Sequence, residues 1–159
     1  VGPTAMGFLR ASQFLGSAVM GIFLAYHPPL KKAGRNLFVS VALFGCCIIG
    51  FALSEYFWLS FLLLFFSGAF DNVSVIIRST ILQLYTPDNM RGRVNSVNSI
   101  FIKSSNEIGD FESGVMASYL GLVPAVIFGG SMTLLVVTAT FLIAKNLRTL
   151  DLTKDPEEV

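Results

Sequence analysis

Long stretches almost free of charge limit what this chain can fold into more than any other feature. "NLFVSVALFGCCIIGFALS" (residues 36–54) and "LVPAVIFGGSMTLLVVTATFLIA" (122–144) contain no ionisable acid or base. "FWLSFLLLFFSGAF" opens a third run, which continues past Asp71 and Arg78 to about Tyr85. A fourth, "AMGFLRASQFLGSAVMGIFLAY" (5–26), is broken only by Arg10 and Gln13. Pro28 and Pro29 stop it, because proline cannot extend the helical hydrogen-bond ladder. About 20 apolar residues cross a ~30 Å hydrocarbon core, and repeated runs of that length argue against helices buried in a soluble core. Composition agrees: 53% of residues are hydrophobic and 13% charged, against about 25% charged in ordinary soluble domains. The expected class is an all-α membrane protein embedded in a lipid bilayer.

The same counts narrow the function classes. Net charge is +1, and fifteen Phe stand against one Trp, which suits lipid contact better than base stacking, so no nucleic-acid partner is expected. Cys46 and Cys47 are adjacent within an apolar run and read as small packing residues. There is no HExxH, no GxSxG, no paired histidine and only one His, so metal or nucleophile catalysis is poorly supported and no cofactor or metal is expected. Glu107 and Asp110 are acids of the kind that do acid–base work, but no substrate-binding motif accompanies them. The chain starts at Val1 without a basic n-region, which reads as the cut end of something longer rather than as a signal peptide.

Basic residues set the sidedness. Lys31, Lys32 and Arg35 lie between the first two runs; Arg91 and Arg93 follow the third; Lys145, Arg148 and Lys154 follow the last. The connections around Ser54–Phe57 and Tyr119–Pro124 have no Lys or Arg. The positive-inside rule then puts the basic connections and the C-terminal tail (146–159) in the cytoplasm. A single uncharged run, 122–144, separates two cytoplasmic segments, and one crossing cannot begin and end on the same side. The polar segment of about 94–120 is therefore expected to cross as well, long enough for a tilted span. Five crossings result, at about 4–26, 36–54, 57–85, 94–120 and 122–144, within a transmembrane region of 1–145.

That polar segment contains "SIFIKSSNEIGDFESG". At 3.6 residues per turn Ser96, Ser99, Lys103, Asn106, Glu107, Asp110 and Gly114 share a stripe. Ionic side chains at mid-membrane are costly and must face protein or a water-filled cavity. Lys103 and Glu107 stand four apart, close enough to pair. Glu112 falls among apolar residues and needs a partner on a neighbouring helix; Arg10, at a similar depth, is the expected one. On the third run Asp71, Ser74 and Arg78 share a face, with Asn72 beside them, so a polar network joining the third and fourth crossings is expected. Two readings of it stand open. One is structural, with buried pairs fixing helix register. The other is a lined path in which Glu107 or Asp110 carries a proton, opposed by Lys103 or Arg78, or in which a polar substrate docks. Ser12/Gly16, Ser17/Gly21 and Gly129–Gly130 read as close helix packing.

The stretch "FDNVSVIIRSTILQLYTPDNMRGRVNSVNSIFIKSSNEIGDFESG" resembles the C-terminal half of the major facilitator superfamily, most of all its bacterial branch of enterobactin-exporter-like permeases. The resemblance rests on Asp71, Asn72, Arg78, Pro87, Arg91–Gly92–Arg93, Asn98, Asn106, Glu107, Gly109, Glu112 and Gly114. "GIFLAYHPPLKKAGR" is similar to the family's cytoplasmic loop motif through Gly21, Gly34 and Arg35; it lacks the usual acid, and His27–Pro28–Pro29 lengthens the spacer. The resemblance implies helices 8 to 12 of a twelve-helix transporter, a missing N-terminal half as partner, and a bacterial inner-membrane location with a cytoplasmic C-terminus. It further implies alternating access around a cavity to which helices 8, 10 and 11 contribute while 9 and 12 pack outside. The expected function is a proton-coupled exporter (antiporter) of small molecules. The alternative from the residues is an oligomeric channel or scaffold whose charge network is purely structural.

Overall fold

The computed structural model of the chain describes residues 3–27 and 32–144. Lys31, the two prolines before it, and the tail with Lys145, Arg148 and Lys154 lie outside the described residues, so the expectations placed on them are not addressed. Five helices account for nearly all the rest: α1 (Pro3–Tyr26), α2 (Ala33–Leu53), α3 (Phe57–Tyr85), α4 (Arg91–Leu120) and α5 (Leu122–Ile143), with a 3₁₀ turn at Asp88–Met90 before α4. There is no strand among the described residues. Four helices, α1, α2, α3 and α5, are long and apolar enough to cross a membrane. At 30 residues α4 matches them in length but not in composition, because the acids and bases at positions 91–112 dilute its apolar residues.

Helix limits follow local chemistry. Lys32 takes a left-handed conformation (φ 53°) just before α2, which starts that helix one turn ahead of the uncharged run. Ser54 is extended and ends α2, its hydroxyl donating to the Tyr56 carbonyl at 3.1 Å and receiving the Ser60 hydroxyl at 3.0 Å. This short link folds α3 back along α2. Pro87 and the 3₁₀ turn start α4 at Arg91, also a turn earlier than expected. Two arginines in a helix's first turn oppose the helix dipole. Asp88 offsets one of them through an ion pair of 2.9 Å with Arg91. The single residue between α4 and α5 is Gly121, at φ 88° and ψ 164°, a region essentially closed to side chains.

In space the helices pack as a row: α1 on α3, α3 on α2, α2 on α5, and α5 on α4. The contacts are made by small residues. A Cβ on Gly16 would lie 2.7 Å from the Phe65 carbonyl carbon, and one on Gly68 2.9 Å from that of Gln13, the carbonyl oxygens being closer still. Gly16 thus lies opposite Phe65 and Gln13 opposite Gly68, with Ser17 meeting Asn72 beside them. The Asn72 side-chain amide donates to the Ser17 carbonyl, clasping the two helices together. Between α2 and α5 a Cβ on Gly130 would come within 2.6 Å of Ile49, and one on Gly45 would lie 3.4 Å from the Gly130 carbonyl. Phe38 meets Phe141 edge-on at 5.4 Å further along. Ser12/Gly16 and Gly130 therefore do pack helices closely, as expected of them.

Burial favours small and hydroxylated side chains, with Leu24, Phe38 and Ile77 the only large apolar ones buried among the described residues. Ser12, Ser40, Ser60, Ser67 and Ser74 are buried, while Phe8, Phe14, Ile22, Trp58, Phe101 and Ile143 are exposed. Contiguous apolar surface on this scale is foreign to soluble monomers, and small or hydroxylated residues are what membrane helices place between them. Three of the buried hydroxyls are satisfied within their own helices: Ser12 donates to the Leu9 carbonyl at 2.6 Å, Ser40 to Asn36 at 2.8 Å and Ser67 to Leu64 at 2.8 Å. Lipid offers no alternative partner.

Candidate functional site: the groove between α3 and α4

Beyond its packing on α5, α4 approaches α3 across a groove. A cavity of about 380 Å³ lies there, lined by Asp71, Val75, Arg78 and Ser79 from α3 and by Asn98, Ile102 and Asn106 from α4, with Leu82 at one end. On α4 these positions recur every four residues, one face of a helix. Of the expected pathway residues, Asp71, Arg78 and Asn106 meet here; Asn98 joins them as a lining residue known beforehand only from the resemblance. Arg78 is folded back on its own helix, its guanidinium donating to the Ser74 carbonyl and hydroxyl, each at 3.3 Å. It makes no ion pair with Asp71. The groove thus presents a carboxylate, a guanidinium and two carboxamides that are not consumed by one another.

Asn72, expected beside them, turns the other way and is committed to the α1–α3 clasp. Lys103, Glu107 and Asp110 do not line the groove; they are exposed. At about 100° per residue their stripe lies roughly a quarter turn from the arc that faces protein, and the two overlap only at Asn106. Lys103 and Glu107 form no ion pair despite their spacing, since both point away from any described helix that would hold them together.

No family model, curated protein or solved structure matches this chain.

Further along α4, the protein-facing arc continues through Gly109, Ser113 and Met116 onto α5, with Val41 of α2 behind, around a cavity of about 370 Å³. Glu112 borders this cavity beside Phe128 and Met132. The expected Arg10–Glu112 pair is not formed. Arg10 is exposed on α1, which packs on α3, whereas Glu112 faces α5, a helix without a basic residue.

The residues of the loop motifs occupy different settings. Gly34 is buried in the first turn of α2 with Arg35 exposed after it. Gly92 has open space around it. Arg91 is held by Asp88 and reaches the Gln83 carbonyl at 3.5 Å. Arg93 is exposed and lines a separate groove at the start of α4. Among the described residues no three His, Cys, Asp or Glu side chains gather closely enough to hold a metal ion.

Proposed function

We propose that this chain is part of a secondary active transporter, a proton-coupled exporter of small molecules working by alternating access in the bacterial inner membrane. The observation that carries the reading is the state of α4. It is a 30-residue helix, about 45 Å long at 1.5 Å per residue, and it has no buried residue. Its Lys103–Glu107–Asp110 stripe faces no described helix, immediately beside a groove lined by Asp71, Arg78, Asn98 and Asn106. If α4 crosses the bilayer, that stripe must meet further protein or a water-filled path, because lipid would make it costly by a few kcal/mol or more. A polar groove and an ionisable stripe on adjoining arcs of one spanning helix are what a substrate path with a proton carrier requires. The resemblance to helices 8 to 12 of the major facilitator superfamily supplies the partner for that surface, a preceding half of the same transporter, and the direction of transport.

The test is flux in sealed proteoliposomes containing the full-length protein, driven by a pH gradient of either sign. Glu107→Gln and Asp110→Asn are expected to leave downhill substrate movement intact while its coupling to the gradient is lost in at least one of them. The stripe also carries both signs of charge, which lets a second copy complement it. On that reading the protein is an oligomeric channel or scaffold with a structural charge network, and the same substitutions change the oligomeric state and leave coupling as it was.

A further inference from the structure

A second groove opens where the end of α3 meets the start of α4. Its volume is about 450 Å³, and its walls are Leu82, Met90, Val94, Val97 and Phe101, with Arg93 among them. Nearly all of its surface is apolar, and Met90, Val97 and Phe101 are exposed. From Arg93 to Phe101 it runs about 12 Å at 1.5 Å per residue, close to the half-thickness of a ~30 Å hydrocarbon core. The charge is confined to one end. Asp88, the acid nearest that end in the chain, is occupied by Arg91 at 2.9 Å, while Arg93 has no ion pair among the described residues. The N-cap of α4 makes no side-chain hydrogen bond either, and the helix dipole adds to the positive field there. Leu82 and Asn98 belong to both this groove and the polar cavity lined by Asp71 and Arg78, so the two spaces adjoin.

We propose that this groove binds an anionic phospholipid from the leaflet on the basic side of the membrane. One acyl chain lies along Val94, Val97 and Phe101, and the phosphate sits on Arg93. An apolar trough one leaflet deep with a single uncommitted guanidinium at its interfacial end matches that amphiphile in both length and charge. Basic pockets between membrane helices on the cytoplasmic side hold anionic headgroups for this reason. A lipid seated there would also border the polar cavity through Asn98 and Leu82. The proposal rests on membrane embedding and holds whether or not the chain transports.

The full chain carrying Trp58→Phe and Phe101→Trp, reconstituted in phosphatidylcholine vesicles, reports on the groove. Quenching of the new tryptophan is compared at equal mole fractions of brominated phosphatidylglycerol and brominated phosphatidylcholine. A preference for the anionic lipid of about fivefold is expected from one basic side chain. Adding Arg93→Gln should reduce it to parity, and Arg93→Lys should retain it. The native Trp58, about 36 Å away along α3, reports insertion and should show no preference in the unsubstituted protein. Equal quenching by the two lipids overturns the proposal. So does a preference that survives Arg93→Gln, or one abolished by added inorganic phosphate, which would mark a free-anion site.

Discussion

Substituting Gly16 by alanine gives a sharp probe of how the row of helices is held. The added methyl would lie 2.7 Å from the Phe65 carbonyl carbon, and that carbon is backbone, with no rotamer to escape through. Ordinary contact begins near 3.4 Å, so α1 and α3 must separate locally by at least about 0.7 Å. A gap of 0.5–1 Å forfeits roughly a quarter to a half of each dispersion well, at about 0.1–0.2 kcal/mol per atom pair. The side chains at this crossing are small, Ser12, Ser67 and Ala69 among them, so roughly half the 40–60 contacts of a buried leucine are at stake. The expected cost is about 1–1.5 kcal/mol, inside the usual range for overpacking. Gly68→Ala makes the reciprocal clash with Gln13 and should cost a similar amount. The double substitution should cost little more than either alone, because one separation accommodates both methyls, giving a coupling of about 1 kcal/mol. Gly7→Ala on the same helix meets nothing within 4 Å and should be neutral or slightly stabilising through helix propensity. Reversible denaturant titration of the detergent-solubilised chain, followed by circular dichroism, measures all four. A Gly16→Ala variant as benign as Gly7→Ala, or strict additivity in the double variant, would refute the packing described here.

The remaining predictions concern Asn72 and the path of α4. Asn72→Ala should lower stability by about 0.5–1.5 kcal/mol through loss of the Ser17 clasp and leave the outcome of the proposed flux test unchanged; an altered flux at unchanged stability would place Asn72 in the proposed pathway. Asn95 and Met116 are about 32 Å apart on α4, so cysteines placed there singly, with Cys46 and Cys47 replaced by alanine, should react with membrane-impermeant maleimide from opposite sides of a sealed vesicle. Reaction of both from one side would remove α4 from the bilayer and the transport proposal with it.

The helices were legible because their signals are local. Uncharged length marks α2 and α5, and Arg91 and Arg93 fall in the first turn of α4. What the sequence does not carry is which arc of α4 faces its neighbours. Polar residues cover more than half of that helix: Asn98 and Ser113 lie on the packed arc, Lys103, Glu107 and Asp110 on the open one. Polarity alone therefore selects an arc centred on the charges, and only the positions of α3 and α5 show that the packed arc runs through Asn98, Ile102, Asn106 and Gly109. The Arg10–Glu112 pairing failed for a related reason. Residue counts give depth along a helix but not lateral position in the row. Ser12 four residues earlier marks Gly16 in the sequence; Gly68 packs as tightly, and Gly45 closely, without a matching small residue at that spacing, so only their neighbours across the helix contact reveal them.

One pattern runs through α1, α2 and α3, with α5 packed beside them through Gly130: most buried side chains are small or hydroxylated, and most large apolar ones turn outward. These four form a slab that lipid can surround. The remaining helix, α4, breaks the pattern twice, with polar side chains on the arc facing α3 and ionisable ones on the next arc, while Phe101, Ile108 and Phe111 lie on what remains. Helix register can be fixed with far less than this, as Asn72 does with a single amide on the Ser17 carbonyl. Three ionisable groups on an open stripe, next to a groove where Asp71 and Arg78 stand without pairing, exceed what register requires. The transport proposal accounts for that surplus, and a network that only fixes register leaves it unused.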